Sequence, residues 1–296
     1  MSILESIEYL ISTGFEPSRD IYISLGHDEE NGGIKGNALI AQTLKEESIY
    51  FEMVLDEGSI ISNGIIKNVN RPVAMIGIAE KGYVTMELTS SFDSGHSSMP
   101  GKKTTIGKLS SAINNLERHQ MPSKLTDPIK HFLTYLGPEL SIKDRFLISN
   151  YNLLLGSILN ELKDEPSTAA MIRTTTATTM ISGGIKSNVL PSEANAIINF
   201  RIRQGDTIKE VKQHVIDTIN DDDISVNLLE GEVSSEASKV SNINSPSFDI
   251  IHKTIKEIFN EALVVPGLVV GTTDSRYYQS ISKDIYRFMP IELSSE

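Results

Sequence analysis

Cysteine is absent from the chain, which removes disulfide scaffolds, thiolate zinc sites and cysteine nucleophiles at once. Any metal would have to be held by carboxylates and imidazoles. No apolar run approaches the roughly 18 residues of a membrane span. Basic residues are in deficit: 27 Lys and Arg against 39 Asp and Glu leave a formal net charge of −12. A surface this acidic repels phosphate backbones, which excludes nucleic acid and anionic membranes as general partners. Repeats and low-complexity tracts are also missing. What is present is ordinary globular usage, 39% hydrophobic and 22% charged over 296 residues, enough for about two domains at ~150 residues each.

The opening MSILESIEYLISTGF has no basic leader and no apolar core flanked by a cleavage site, unlike a signal peptide. Ile3, Leu4, Ile7, Leu10 and Ile11 recur at helical spacing and predict a helix with one buried stripe. The end, IYRFMPIELSSE, is a strand-like run followed by a few polar residues. Both ends read as cut.

Residues 21–25 (IYISL) predict a short strand, 34–44 a helix and 49–55 (IYFEMVL) a second strand, together the size of a right-handed βαβ unit with parallel strands. Residues 73–79 (VAMIGIA) predict a third. From Gly82 the texture changes: Val84, Met86 and Leu88 alternate with polar residues, as in a half-exposed strand. A helix over 104–118, strand-like stretches at 168–181 and 194–203, a helix capped by Asp206 and a strand at 224–229 complete a β-α-β-β-α-β order. Residues 120–165 read as helical padding inserted into it. The run Asp221-Asp222-Asp223 reads as a solvated helix terminus. After the polar stretch 230–246, a helix carrying Phe248, Ile251, Ile255 and Ile258 and the run VVPGLVV (264–270) restore the α/β texture. The predicted organisation is an α/β domain built from 1–80 and 233–296, interrupted by a smaller domain at 81–232.

In a parallel sheet all strands end at one edge, where open α/β folds place their ligands. Here Asp28-Glu29-Glu30 follows the first strand and Asp56-Glu57 the second. Neighbouring strands lie about 4.8 Å apart, so these acids would converge, and carboxylates that close cannot all stay ionised without compensating charge. A divalent metal would compensate. The plainer alternative is that acidic residues sit in solvated loops and helix N-termini, which also suit them.

The ordered motifs Gly26-His27-Asp28-Glu29-Glu30-Asn31-Gly32-Gly33, Leu55-Asp56-Glu57-Gly58, Ala79-Glu80-Lys81-Gly82 and Gly95-His96-Ser97-Ser98-Met99-Pro100, followed by Ser187-Asn188-Val189-Leu190-Pro191, Asn199-Phe200-Arg201 and Gly271-Thr272-Thr273-Asp274-Ser275-Arg276, resemble the carboxypeptidase S and aminoacylase branch of the two-zinc exopeptidases. The resemblance covers essentially the whole chain. It implies a mostly parallel α/β zinc-exopeptidase catalytic domain with an inserted ferredoxin-like α+β lid through which the protein dimerises. By this resemblance Glu29 is the general base and Glu30 a zinc ligand. Glu57, or Asp56 beside it, is a second ligand. His96 stabilises the oxyanion, usually in the active site of the partner subunit. Asn188 assists substrate binding, and Arg201 and Arg276 are candidates for a substrate carboxylate, the pairing a guanidinium fork suits. The implied cofactor is a pair of zinc ions, and the implied substrates are small peptides, losing their C-terminal residue, or N-acyl amino acids.

The family's site also needs a His-x-Asp, a bridging Asp and a late histidine, which this chain lacks, and Glu30 with Asp56 or Glu57 cannot hold two ions. The sequence is therefore expected to be an internal fragment, binding zinc weakly and hydrolysing little alone. The alternative reading is a non-catalytic family member that keeps a dimerisation or ligand-binding module. A cytosolic location fits the lack of cysteine.

Overall fold

The computed structural model describes residues 2–66 and 68–294. The chain opens with α1 (Ser2–Ser12) and α2 (Asn37–Glu46), then β1 (Phe51–Asp56), β2 (Ile61–Asn63), β3 (Val73–Glu80), β4 (Gly82–Ser91) and β5 (Gly95–His96). Helices α3 (Thr105–Arg118), α4 (Asp127–Leu136), α5 (Ile142–Ser149), α6 (Tyr151–Lys163) and α7 (Pro166–Ile172) follow. The remainder is β6 (Thr175–Gly183), β7 (Val189–Leu190), β8 (Glu193–Ile202), α8 (Ile208–Ile219), β9 (Ile224–Leu228), α9 (Pro246–Ile258), β10 (Leu263–Val269), β11 (Ser282–Arg287) and β12 (Glu292–Ser294).

Two sheets organise these elements. In the larger, β1–β11, β3–β10 and β2–β12 pair in parallel, while β2 and β11 make short antiparallel contacts with β3. β3 is the central member, buried along nearly its whole length, as an apolar run covered on both faces must be. Helix α9 packs Phe248, Ile251 and Ile255 against Ile76, Ile78 and Val264 of this sheet.

The smaller sheet has the order β6-β8-β4-β9, all antiparallel. With α3 between β4 and β6, and α8 between β8 and β9, this is the predicted ferredoxin-like arrangement. Strand β8 alternates without a break, Ala194, Ala196, Ile198, Phe200 and Ile202 facing a core with Leu109, Leu116, Val211 and Val215 of α3 and α8. Only Lys81 separates β3 from β4, so one continuous stretch of backbone passes from the large sheet into the small one.

The structure differs from the sequence expectations at four places. Residues 21–25 carry no regular secondary structure and join no ladder; β1 finds its partner in β11, from the far end of the chain. Tyr22 merely sets its ring edge-on to Phe51, 5.3 Å between centroids. The α1 stripe is exposed instead of buried, Ile3 at 63% and Ile11 at 66%. Residues 166–172 are helical, started by Pro166 in the first turn and anchored by Ala169 and Ile172, so the strand begins only at Thr175. Helix α8 is capped by Thr207, which forms a reciprocal capping box with Glu210. Asp206 instead pairs with Arg203 and accepts from Thr174. The Asp221–Asp223 run does lie past a helix terminus, where Asp221 and Asp223 also pair with Lys108.

Candidate active-site edge

The acidic segments meet on the loop that follows β10. Residues Asp274–Ser280 form a 3-10 turn whose N-cap is Thr273, and three successive backbone N–H groups there serve three carboxylates. Thr273 donates to Glu80 Oε2 at 2.8 Å, Asp274 to Glu29 Oε1 at 3.3 Å and Ser275 to Asp56 Oδ2 at 3.0 Å. Each acid comes from a different part of the chain: Glu80 ends β3, Asp56 ends β1, and Glu29 lies in a 3-10 turn, Glu29–Asn31. The sequence predicts convergence between neighbouring strand ends, but residues 21–25 make no strand. A third loop collects the acids.

Asp274 itself is buried, with Oδ2 accepting from Asn37 Nδ2 at 2.9 Å. Asn37 Oδ1 in turn accepts from Tyr278 at 2.8 Å and from Ser24 at 2.6 Å. The carboxylate packs on Gly33, whose φ is +69° and where a Cβ would stand 2.0 Å from Asp274 Oδ1. A side chain there would meet both a left-handed backbone and a carboxylate.

Glu29 carries the electrostatic consequence. Burial raises its pKa above the ordinary carboxylate value, with Glu57, Asp274 and Asp56 adding repulsion in the same direction, while the Asp274 N–H pulls the other way. A carboxylate whose proton affinity is lifted by burial and like charge is better able to take a proton from water than an exposed one. Glu57 thus lies within electrostatic reach of Glu29, and its own N–H donates to Asp56 Oδ1 at 2.9 Å. Glu30 is exposed.

These donors also bear on whether a metal fits. Asp28 Oδ1 and Asp274 Oδ1 are buried carboxylate oxygens without a hydrogen-bond partner. Among the described residues, however, no three His, Asp or Glu side chains come together in an arrangement that could hold a metal ion. The described residues do not complete a zinc site, let alone one for two ions.

His96 and Asn188 belong to a separate ribbon. β5 pairs with β7, placing His96 opposite Val189, and Ser97 donates to the Asn188 carbonyl at 3.2 Å. Ser98 N–H donates to His96 Nδ1 at 3.2 Å, with the Ser98 hydroxyl 2.8 Å from the same nitrogen. Nδ1 therefore acts as an acceptor, which places the proton of the neutral ring on Nε2. Both side chains are exposed. Among the described residues no hydrogen bond joins this ribbon to Glu29, Asp56 or Asp274.

The two arginines differ. Arg201 lies over the Tyr83 ring, 4.6 Å from its centroid, and among the described residues its guanidinium makes no hydrogen bond, leaving its fork open. Arg276 is committed: Nη2 donates to the Gly32 carbonyl at 2.7 Å and Nη1 to the Thr273 carbonyl at 3.3 Å. With Tyr277, which also donates to Gly32, it latches the Gly-Gly turn to the acid-collecting loop. Sequence reasoning missed Glu80 and Asp274 as members of the site. A signal existed for Glu80, since an acid closing an otherwise apolar strand must find a buried partner.

Known proteins share this architecture. The family model of the peptidase dimerisation domain, M20 type, matches residues 78–226, just over half of the chain. An N-fatty-acyl-amino acid synthase/hydrolase PM20D1.1 from Danio rerio is 38% identical over 98% of this chain and 56% of its own length. Carboxypeptidase S from Saccharomyces cerevisiae is 31% identical over 96% of this chain and 56% of its own length. The chain thus spans a little over half the length of these curated relatives. Among solved structures, an M20 family metallo-carboxypeptidase from Sulfolobus solfataricus superposes with a TM-score of 0.60 at 16% identity, covering 96% of this chain and 65% of that one. Human carnosine dipeptidase 1 gives 0.56 at 14%, covering 96% and 62%. The fold is that of the M20 enzymes, and the chain belongs to the M20 peptidase dimerisation domain family.

Proposed function

We propose that this chain supplies the general base and the substrate-holding ribbon of a hydrolase that cleaves small peptides at their C-terminal residue or N-acyl amino acids at the acyl bond. The observation that carries it is the position of Glu29, half-buried among Asp56, Glu57 and Asp274 and steadied by a backbone N–H. The names of the relatives, a carboxypeptidase S and an N-fatty-acyl-amino acid synthase/hydrolase, support the same chemistry.

In this reading the Glu29 carboxylate takes a proton from the attacking water and passes it to the leaving amine. His96 donates its Nε2–H to the oxyanion, with Asn188 beside it, and the open fork of Arg201 receives the substrate carboxylate. Arg276 keeps the Gly32 turn in place. The protein acts as a homodimer through the segment 81–232 inserted between 1–80 and 233–296, where edge strand β6 exposes Met180 and Ile181. His96 then serves the site of the second copy. Zinc is the proposed metal. Glu30 and either Asp56 or Glu57 are this chain's share of the ligands, too few for two ions.

A second reading, a non-catalytic member that keeps its dimerisation and ligand-binding parts, is favoured by the lack of a three-donor cluster among the described residues. One measurement separates the two: hydrolysis of dipeptides and N-acyl amino acids, with zinc content, in the protein that carries this sequence. Replacing Glu29 by Gln should cost about a hundredfold or more in turnover, the usual worth of a general base, with metal content unchanged. Undiminished turnover removes Glu29 from the role, and a wild type that dimerises but never turns over supports the second reading.

A further inference from the structure

The end of β3 carries a charge that the proposed chemistry does not use. Glu80 is 1% exposed and Arg287, at the end of β11, is fully buried. Arg287 Nε donates to Glu80 Oε2 at 3.1 Å, and Nη2 stands 3.1 Å from Oε1. The same Oε2 accepts from Thr273 twice, from the backbone N–H at 2.8 Å and the hydroxyl at 3.1 Å. One carboxylate oxygen thus joins the central strand, the β11 terminus and the first residue of the acid-collecting loop. Arg287 is itself in register with Asp56 on β1 and with Gly77 on β3.

A buried ion pair is poor evidence of stabilisation, because desolvation offsets its attraction. Its place here is better explained by what it holds. Thr273, Asp274 and Ser275 are consecutive, so fixing the first fixes the N–H groups that the next two present to Glu29 and Asp56. Strand β3 is paired along its length with β10, which makes the anchor rigid, as a supporting residue must be.

We propose that Glu80, clamped by Arg287, is a positioning residue: it sets the Thr273–Ser275 loop and through it the placement of Glu29. The role for Glu29 rests on the hydrolase reading above; the loop placement does not. The test uses the double variant Glu80→Gln with Arg287→Met, which removes both charges and strands neither, and Thr273→Val, which removes the hydroxyl's contacts with Glu80 and with the Ser275 hydroxyl but keeps the Thr273 N–H. Turnover of the protein that carries this sequence and amide hydrogen exchange at Asp274 and Ser275 are measured together. In the double variant kcat should fall about tenfold or more with KM within about twofold, since small misplacements of a reacting group are costly, and both amides should exchange at least about tenfold faster as their opening becomes easier. Thr273→Val should move the same readouts in the same direction, by about threefold, and it carries the test alone where the double variant does not fold. Wild-type kcat with wild-type exchange in a folded variant overturns the proposal. If Glu29→Gln keeps its turnover, the base role of Glu29 falls, and if the wild type never turns over, the hydrolase reading falls, while in both cases exchange at Asp274 and Ser275 still decides whether Glu80 sets the loop.

Discussion

Glu29 shows how far a single side chain is defined by residues remote from it in sequence. Its carboxylate is held by a residue 245 positions away, and its proton affinity is raised by burial and by acids from two other loops. Gly33 tests the same crowding from the other side. With φ at +69° and only 2.0 Å between the position a Cβ would take and Asp274 Oδ1, Gly33→Ala must displace Asp274 or distort the Gly-Gly turn. The strained conformation alone costs on the order of 1–3 kcal/mol, so urea unfolding should show a loss of at least that size. A variant with wild-type stability would mean that the turn and Asp274 are not packed as described. Gly14, with a similar φ of +75° and no atom within 4 Å of its Cβ position, should suffer backbone strain alone and lose less.

Between residues and the molecule stands the β3–β4 junction, where adjacent side chains point to opposite sides. Glu80 turns to the large sheet, and Lys81 turns to α7, its ammonium donating to the Ala170 and Arg173 carbonyls at 2.9 Å each. Burial, together with Arg201, Arg203 and Arg173, pulls the Lys81 pKa down from its ordinary 10.5 to about 7, against the opposing pull of Asp206. Between those two values the unfolded chain binds a proton that the folded one has released, so stability must rise with pH there. From pH 7 to 9.5 the gain is about 3 kcal/mol. Lys81→Met, which loses both hydrogen bonds, should be less stable at pH 9.5, and urea titrations should show no such rise; equal slopes in the two proteins would refute the assignment. Elements of this kind are legible in the sequence where a single pattern decides them. The alternation of β8 and the stripe of α9 depend only on near neighbours, and both form as their periodicity predicts. The strand expected at 21–25 fails because β-rich composition cannot supply a ladder partner, and β1 pairs with β11 instead. The 271–276 loop is legible as a motif, but its acid partners are not, for a related reason: Thr273 reaches Glu80 across 193 residues, a pairing that neither periodicity nor a motif read one segment at a time contains.

At the scale of the whole molecule, the two halves of the proposed machinery sit on different elements. Glu29 belongs to the large-sheet edge, His96 to the β5–β7 ribbon beside the small sheet, and among the described residues no hydrogen bond connects them. Two arrangements would bring them together, closure of one chain on itself or pairing of two copies. The proposed dimerisation through the small sheet favours the second, and a mixing experiment distinguishes them. His96→Ala removes the proposed oxyanion donor, and losing one such donor costs about 10²- to 10³-fold; Glu29→Gln removes the proposed base. If His96 works across the interface, a mixed dimer of the two variants contains one site with both residues intact. Equal mixing makes about half of the dimers hybrids, so about a quarter of wild-type activity should return. If each chain closes on its own His96, both sites of the hybrid stay defective and the mixture remains as inactive as its parts. Recovery should also follow the rate of subunit exchange, appearing only as dimers dissociate and reform, and this separates complementation from a trace of reverted enzyme, whose activity would be present from the start.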